Sequence, residues 1–365
     1  MKKKAKKRLA LIGTNGIPAN YGGAETFFEN LTKYLTDKYD ITVYCSNKTP
    51  KQEGNTFLGA KLKYYNLSAN GWQAVIYDSL SLIHAARYSD ILFTFGNPGA
   101  PVINLLRFFG FKKKIIINAA GLKEWEREHY SNLERWYMKV CNRLNKKNCI
   151  WVSDNQLLVD ALEETFGIKS QLIRYGGDNA FKVSPTKALL KKYPFLNEEY
   201  FVDVSRAIVD NNLEMVLNAF SFMPEKKLVL VSNFDSSDYG KAVCEQYKDY
   251  TNIVLIKGIY DKTELNAVRS NAKAYIHSQG WSGTPPSLCE ALSLRLPIIS
   301  FDTEVNREVT QNKALFFRDE KELETIIKNL SDNSLVKLAE ESKMLADKEY
   351  TWQHICDQYC ELFEN

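Results

Sequence analysis

Ser278-Gln-Gly-Trp-Ser-Gly-Thr-Pro-Pro-Ser-Leu-Cys-Glu290-Ala-Leu-Ser-Leu-Arg-Leu-Pro297 is the stretch around which this chain is organised. Ahead of it, residues 273–277 form a short apolar run of the kind a buried strand shows. After Pro286, apolar residues recur at Leu288, Leu292 and Leu296, the spacing of a helix. The unit is therefore strand, glycine-bearing loop, helix. Gly283 lets backbone approach a ligand closely, and Pro285 and Pro286 occupy a first turn that tolerates missing N–H groups. A helix N-terminus carries partial positive charge, so the unit can hold a phosphate. Glu290, about a turn further on, is placed to accept hydrogen bonds from the hydroxyls of a sugar or ribose. The plainer alternative is a loop and helix cap of an α/β protein without a ligand.

Working outward, the C-terminal half shows strand-like runs at 200–204, 227–231, 253–257, 273–277, 297–300 and 314–317. The N-terminal half shows them at 8–12, 41–45, 62–65, 91–95, 114–118, 149–152 and 171–174, with helical patterns between, as at 25–35, 73–88, 133–144 and 156–166. Such alternation predicts parallel strands with helices on both faces, a doubly wound α/β sheet in each half. Glycine and proline gather from Tyr175-Gly-Gly-Asp178 to Pro185, which puts a boundary there. The expected division is residues 1–178, residues 179–349 and a last amphipathic helix over residues 350–365, with Trp352, Ile355, Tyr359 and Phe363 on its apolar side.

Composition sets limits. With 365 residues, 45% apolar and 25% charged, the chain has the length and make-up for two globular cores. No stretch approaches the ~20 apolar residues of a membrane span. The run Leu9-Ala-Leu-Ile12 is too short for a signal-peptide core. Seven cysteines, without close pairing or zinc-type spacing, point to reduced thiols and a cytoplasmic location. A net charge of +4 is too small to argue for nucleic acid. Two local clusters, Lys2 to Arg8 and Arg107-Phe-Phe-Gly-Phe-Lys-Lys-Lys114, suit an anionic membrane face. They read equally as a solvated tail and a helix-to-strand turn.

Ligands of such sheets bind at the carboxyl ends of strands. The first such loop is Gly13-Thr-Asn-Gly-Ile-Pro-Ala-Asn-Tyr-Gly-Gly-Ala-Glu25-Thr-Phe. Its glycines are too spread for a dinucleotide fingerprint, and no acidic residue ends the second strand, which argues against an NAD-type oxidoreductase. Gly22 and Gly23 open the first helix and offer bare N–H groups to a phosphate or an acceptor hydroxyl, or form a long turn with a glycine cap. Two more loops hold Asn97, in Phe95-Gly-Asn-Pro-Gly-Ala100, and Glu124, Trp125 and Arg127, in Asn118-Ala-Ala-Gly-Leu-Lys-Glu-Trp-Glu-Arg-Glu-His-Tyr130. Carboxylates, cations and aromatic faces can together hold a carbohydrate, although a solvated, charged helix start fits as well. Arg206 follows the first strand of the second half, where a guanidinium can neutralise a diphosphate or pair with a surface carboxylate. His277, ending a buried strand, reads as a satisfied core residue. With no Asp-x-Asp pair and no His/Cys cluster, no metal site is expected.

The string Gly283-Thr-Pro-Pro-Ser-Leu-Cys-Glu290-Ala-Leu, followed by Leu296-Pro-Ile-Ile, resembles the donor motif of retaining GT-B glycosyltransferases of the family 4-like group. The loop from Gly13 to Phe27 resembles that of a narrower bacterial branch with a DUF1972-type N-terminal domain, which includes rhamnosyltransferases of surface-polysaccharide assembly. The resemblance implies two Rossmann-like domains facing across a cleft, acceptor domain first and nucleotide-sugar domain second, with the last helix packed back on the first. It implies retaining transfer from a nucleoside diphosphate sugar, best dTDP-rhamnose, to a lipid-linked saccharide, without metal or cofactor. Arg206 and Glu290 are then the catalytic pair. Gly22, Gly23, Ile259, Tyr260, Ser282, Gly283 and Thr284 join them at the donor, and Asn97, Glu124, Trp125 and Arg127 meet the acceptor. Three places depart from the pattern: Ser282 stands for the first of the family's two glutamates, Asn211 for a lysine and Ala120 for an aspartate. Transfer from a UDP- or GDP-hexose, and a catalytically idle subunit that binds a partner enzyme, stay open. A sugar-nucleotide epimerase would need acid/base pairs that cannot be assigned.

Overall fold

The computed structural model describes residues 5–19, 22–48, 54–119, 121–128, 130–280 and 283–365. The chain divides into two units, residues 1–174 with 352–365, and residues 175–351. The division falls between Arg174 and Tyr175, just ahead of Gly176-Gly177-Asp178.

The first unit is built on β1 (Lys7–Ile12), β2 (Tyr39–Ser46), β3 (Thr56–Phe57), β4 (Ala60–Tyr65), β5 (Ile91–Phe95), β6 (Lys114–Asn118), β7 (Ile150–Ser153) and β8 (Ser170–Leu172). Their order across the sheet is β3-β4-β2-β1-β5-β6-β7-β8. Every pairing is parallel except β3 with β4, a two-residue return that the sequence periodicity does not reveal. Parallel strands are covered on both faces, which is why Leu9 to Ile12 and Ile115 to Ile117 are apolar without alternation and fully buried. The helices are α1 (Gly23–Leu35), α2 (Trp72–Tyr88), α3 (Ala100–Phe108), α4 (Asn132–Asn145) and α5 (Gln156–Phe166). Right-handed crossovers place α1 on one face and α2 to α5 on the other, because the chain first runs outward from β1 and then returns to β5 beside it. That reversal makes the β1/β5 junction the crevice of the sheet. Gly13 leaves β1 there with φ +102°, and a Cβ would stand 2.3 Å from the Phe95 carbonyl oxygen, so only glycine fits.

The chain's last helix (Trp352–Glu364) belongs to this first unit. Trp352 and Tyr359 meet the Phe27 ring edge-on at 5.7 and 5.6 Å. Tyr359 also accepts from Asn118 Nδ2 at 3.1 Å, and Lys114 Nζ donates to the last-turn carbonyls of Leu362 and Phe363.

The second unit has β9 (Phe201–Val204), β10 (Leu228–Ser232), β11 (Ile253–Lys257), β12 (Ala274–His277), β13 (Ile298–Phe301) and β14 (Leu315–Phe317), in the order β11-β10-β9-β12-β13-β14 and all parallel. Its helices are α6 (Lys187–Lys192), α7 (Leu213–Ser221), α8 (Asp238–Tyr247), α9 (Lys262–Ser270), α10 (Pro286–Ser293), α11 (Glu304–Val309), α12 (Glu320–Lys328) and α13 (Asp332–Glu349). Here the reversal lies between β9 and β12. The helix expected through Leu296 stops at Ser293: Arg295 takes φ +62°, and the Leu296 N–H returns to the Ala291 carbonyl at 3.1 Å. Leu296 is buried beyond the helix, so its apolar character mimicked one more turn.

Candidate functional site

In the second unit the loops after β9 and β12 flank the sheet's crevice and are laced together. The Gly280 N–H donates to the Asp210 carbonyl at 3.0 Å, and Asn212 Nδ2 donates to the Ser278 carbonyl at 3.0 Å. A Cβ on Gly280 would stand 2.9 Å from Asn212 Nδ2, which explains the glycine. Arg206 lies on the first of these loops. Its guanidinium is exposed and makes no ion pair among the described residues, so the alternative of a surface salt bridge is not realised. Asn211, standing where the resembling family has lysine, is buried and donates to the Arg206 carbonyl at 2.8 Å. It braces the loop and adds no charge.

Gly283 and Thr284 lead into α10, Thr284 being buried. Pro285 is the N-cap and Pro286 the first helical residue, so neither offers an N–H, and Ser287 carries the first amide of the helix. Ser282 lies outside the described residues. Ile259 and Tyr260 follow β11, the edge strand, with Tyr260 69% exposed. Glu290 is not the open acceptor that its spacing implies: Oε1 accepts from Asn179 Nδ2 at 2.6 Å, and Oε2 is ion-paired with Arg269 Nη1. Arg269 is itself buried, and its Nη2 donates to Asn266 Oδ1 at 2.9 Å. A carboxylate has about four lone-pair directions, so Glu290 keeps capacity for a ligand hydroxyl while anchored. Sequence reasoning misses Arg269 and Asn179, because an Arg on a helix as polar as Lys262–Ser270 reads as a surface residue.

Beneath these loops Asp203 is fully buried, and burial pushes its carboxyl up to about 7. The Ser205 and Ser278 hydroxyls stand beside it without completing hydrogen-bond geometry. His277 is buried, stacked on Tyr275 at 6.0 Å, and burial lowers it to about 3, so it is neutral. It is a core residue; Asn306 stands beside it, but among the described residues neither ring nitrogen completes hydrogen-bond geometry, unlike the satisfied histidine expected. In the first unit, burial in α2 raises Asp78 to about 8. The sign follows directly. Above the ordinary value of 3.8 the unfolded chain releases protons that native Asp203 and Asp78 keep, so stability falls as pH rises towards 7 and 8. His277 works in the opposite sense below 6.5 and offsets part of this on the acid side. Asp203→Asn and Asp78→Asn are each expected to raise the urea midpoint at pH 8 and to flatten the decline between pH 6.5 and 8. Urea titrations at the two pH values check this, and parallel curves for variant and parent would refute it.

The loop after β1 is held from below by two glutamates of α1. Glu25 Oε1 accepts from the Asn15 backbone N–H at 3.0 Å and from Asn15 Nδ2 at 3.1 Å, and Glu29 Oε2 accepts from the Ala19 N–H at 2.6 Å. Gly22, at φ +107°, is the N-cap and Gly23 the first helical residue, as the paired glycines imply. A Cβ on Gly22 would stand 2.5 Å from Glu25 Oε2.

Beside the β5 loop the first unit contains a cavity of about 300 Å³. Asn97, Glu124 and Trp125 line it, and Arg127 does not. Arg127 instead pairs with Glu124 at 3.2 Å, both side chains largely buried. Trp125 is 4% exposed and packs edge-on against Phe166 at 4.9 Å, so the face expected to stack a sugar is covered. Trp72 and Tyr137, in ring contact at 5.6 Å, line the cavity together with Tyr130 and the buried Trp151. Asn97 is fixed by Asn145, which donates to it at 2.8 Å and accepts from Asn104 at 2.7 Å. Ala120 and His129 lie outside the described residues. Among the described residues no group of three or more His, Cys, Asp or Glu side chains is gathered as a metal ion would require.

Residues 6–178 match a domain of unknown function, DUF1972, and residues 187–350 match glycosyl transferases group 1. No curated protein matches the chain. Among solved structures it resembles sucrose-phosphate synthase from Thermosynechococcus elongatus, at TM-score 0.80 and 14% identity over 98% of both chains. It also resembles Anabaena HepE in complex with UDP-glucose, at TM-score 0.74 and 13% identity over 98% of this chain and 99% of that one. A glycosyltransferase from Rickettsia africae aligns at TM-score 0.74 and 14% identity over 99% and 98%. At such identities these likenesses speak to the fold. The two family matches together take in nearly the whole chain and the fold agrees with them: this is a GT-B glycosyltransferase whose N-terminal half is a DUF1972 domain.

Proposed function

We propose that the enzyme transfers rhamnose, with retention, from dTDP-rhamnose to a lipid-linked saccharide during assembly of a surface polysaccharide, at the inner face of the membrane. The observation that carries the donor reading is Arg206, an exposed guanidinium without an ion pair among the described residues, on the loop after β9 that is bonded to the loop leading into α10. The sugar follows from the Gly13 to Phe27 loop and its likeness to the rhamnosyltransferase branch. In the step itself the bond from the sugar's anomeric carbon to the diphosphate oxygen breaks, and a bond to the acceptor oxygen forms on the same face. The acceptor proton passes to a phosphate oxygen, and the nucleoside diphosphate leaves. Arg206 and the backbone amides near Gly283 stabilise the departing charge in place of a metal ion. Glu290 orients a donor hydroxyl, and Ile259 and Tyr260 flank the base.

The acceptor saccharide enters the cavity between Trp72, Asn97 and Glu124. Trp72→Ala is expected to raise the acceptor KM roughly three- to tenfold and leave the donor KM unchanged, since stacking on one aromatic face is worth about that much. Initial rates at varied acceptor and fixed donor measure it. HepE, a structural relative, is described in complex with UDP-glucose, which favours a UDP-hexose as the second donor candidate. Thermal melting in the presence of dTDP-rhamnose, UDP-glucose and GDP-mannose separates the donors, because only a bound ligand raises the melting temperature. A rise with UDP-glucose and none with dTDP-rhamnose would replace the first reading by the second.

A further inference from the structure

The basic run at Arg107 to Lys114 does not form the free charged patch that its sequence describes. Arg107 turns inward to the carbonyls of Phe111, Lys113 and Asn148, Lys113 reaches those of Ala86 and Ser89, and Lys114 caps the last helix. What stays outside, Lys112 apart, is apolar: Phe108 is 82% and Phe109 77% exposed. They continue a pattern on both neighbouring helices. Along α2, Trp72, Ile76, Leu80 and Ile83 recur at helical spacing and are all exposed. Along α4, Leu133, Trp136 and Leu144 do the same. Helix α3 lies between α2 and α4 and contacts both, so the stripes form one outward face of the first unit.

The exposed charges on α2, α3 and α4 and on the turns that follow α3 and α4 have one sign. Arg87, Lys112, Arg143, Lys146 and Lys147 are exposed. The carboxylates within α2, α3 and α4 are Asp78, which is buried, and Glu134, which is held in the capping box of α4. The nearest exposed carboxylates lie off these helices, at Glu126 and Glu128 in the turn ahead of α4 and at Asp160, Glu163 and Glu164 on α5. An apolar centre with tryptophans among its members and cations along its border matches a bilayer of anionic lipids: apolar side chains enter the acyl boundary, indoles sit at headgroup level and cations meet phosphates. Hence we propose that the α2–α3–α4 face docks the enzyme on an anionic membrane surface. Trp72 belongs both to this face and to the cavity wall, so a lipid-linked acceptor can enter from the docked side. That last consequence rests on the proposed acceptor, while the docking does not.

The test is co-sedimentation of the full chain with vesicles of phosphatidylcholine alone and of phosphatidylcholine mixed equally with phosphatidylglycerol. The parent protein is expected to bind the mixed vesicles, and less so at high salt. Phe108→Ser with Phe109→Ser should lower the partition coefficient at least about tenfold. Lys146→Glu with Lys147→Glu should weaken binding to the mixed vesicles only. Phe222→Ser, which removes an exposed phenylalanine of the second unit, should change nothing. Thermal melting confirms that each variant folds. Absence of parent binding, or binding that survives the double phenylalanine change, overturns the proposal. So does a double variant that shifts a dimer to monomer and leaves vesicle binding intact, since a second copy would then cover the face. Donor hydrolysis measured on the same variants should be unchanged, which separates a failure of docking from a failure of the proposed transfer.

Discussion

Arg206→Ala is expected to lower kcat for sugar transfer by about 10²- to 10³-fold, the loss seen when one preorganised donor to a developing negative charge is removed. The size follows from placement. Arg206 stands at the crevice of the second sheet, where the loop after β9 is bonded to the loop leading into α10, and no carboxylate of the described residues competes for it. Its backbone carbonyl is already held by Asn211, so the loop does not depend on the side chain. The substitution should therefore leave the melting temperature near that of the parent, as for surface changes generally. Arg206→Lys should recover only part of the rate, because an ammonium cannot make the paired bonds of a planar guanidinium to a diphosphate. Steady-state rates at saturating donor and acceptor decide the matter. An unchanged kcat would remove Arg206 from the proposed chemistry.

Glu290→Ala should act on stability as much as on rate, with a loss of about 3–5 kcal/mol, the usual cost of stranding one member of a buried ion pair. Arg269 is the reason. It is 3% exposed, its partner is the Glu290 carboxylate, and its Nε already lacks a hydrogen bond. Loss of the carboxylate also frees Asn179 in the opening segment of the second unit. Two further variants separate structure from chemistry. Glu290→Gln keeps shape and hydrogen bonding and should unfold at a urea concentration between those of parent and Ala variant. The double change of Glu290→Ala with Arg269→Met removes both charges and should recover much of the stability while activity stays low. Full activity in that double variant would show that Glu290 serves Arg269 and not the donor. Equal stability of the Glu290→Ala protein and the parent would refute the buried pair.

Much of the fold is legible in the chain because parallel strands buried on both faces leave continuous apolar runs. Residues 91–95 and 114–118 are found as strands with those bounds, and the doubly wound halves follow from the alternation with helices. The glycine loops are legible for a steric reason, since Gly13 and Gly280 stand where a Cβ would meet neighbouring atoms. Side-chain partners are another matter. Trp125 reads as a stacking face and is core, Arg127 reads as an acceptor contact and pairs with Glu124, and Trp72 and Tyr137 line the cavity without any local signal.

By itself the sequence determined where strands, helices and tight loops fall, because those depend on residues near one another along the chain and on which face each must bury. It also determined that loops rich in glycine end at helix starts in both halves. Only the tertiary structure decided what each charge faces. Arg107 and Lys113 were drawn to backbone carbonyls, Glu290 to a buried guanidinium, and Arg206 was left without an ion pair among the described residues, because electrostatic partners come from segments far apart in sequence and are chosen by packing.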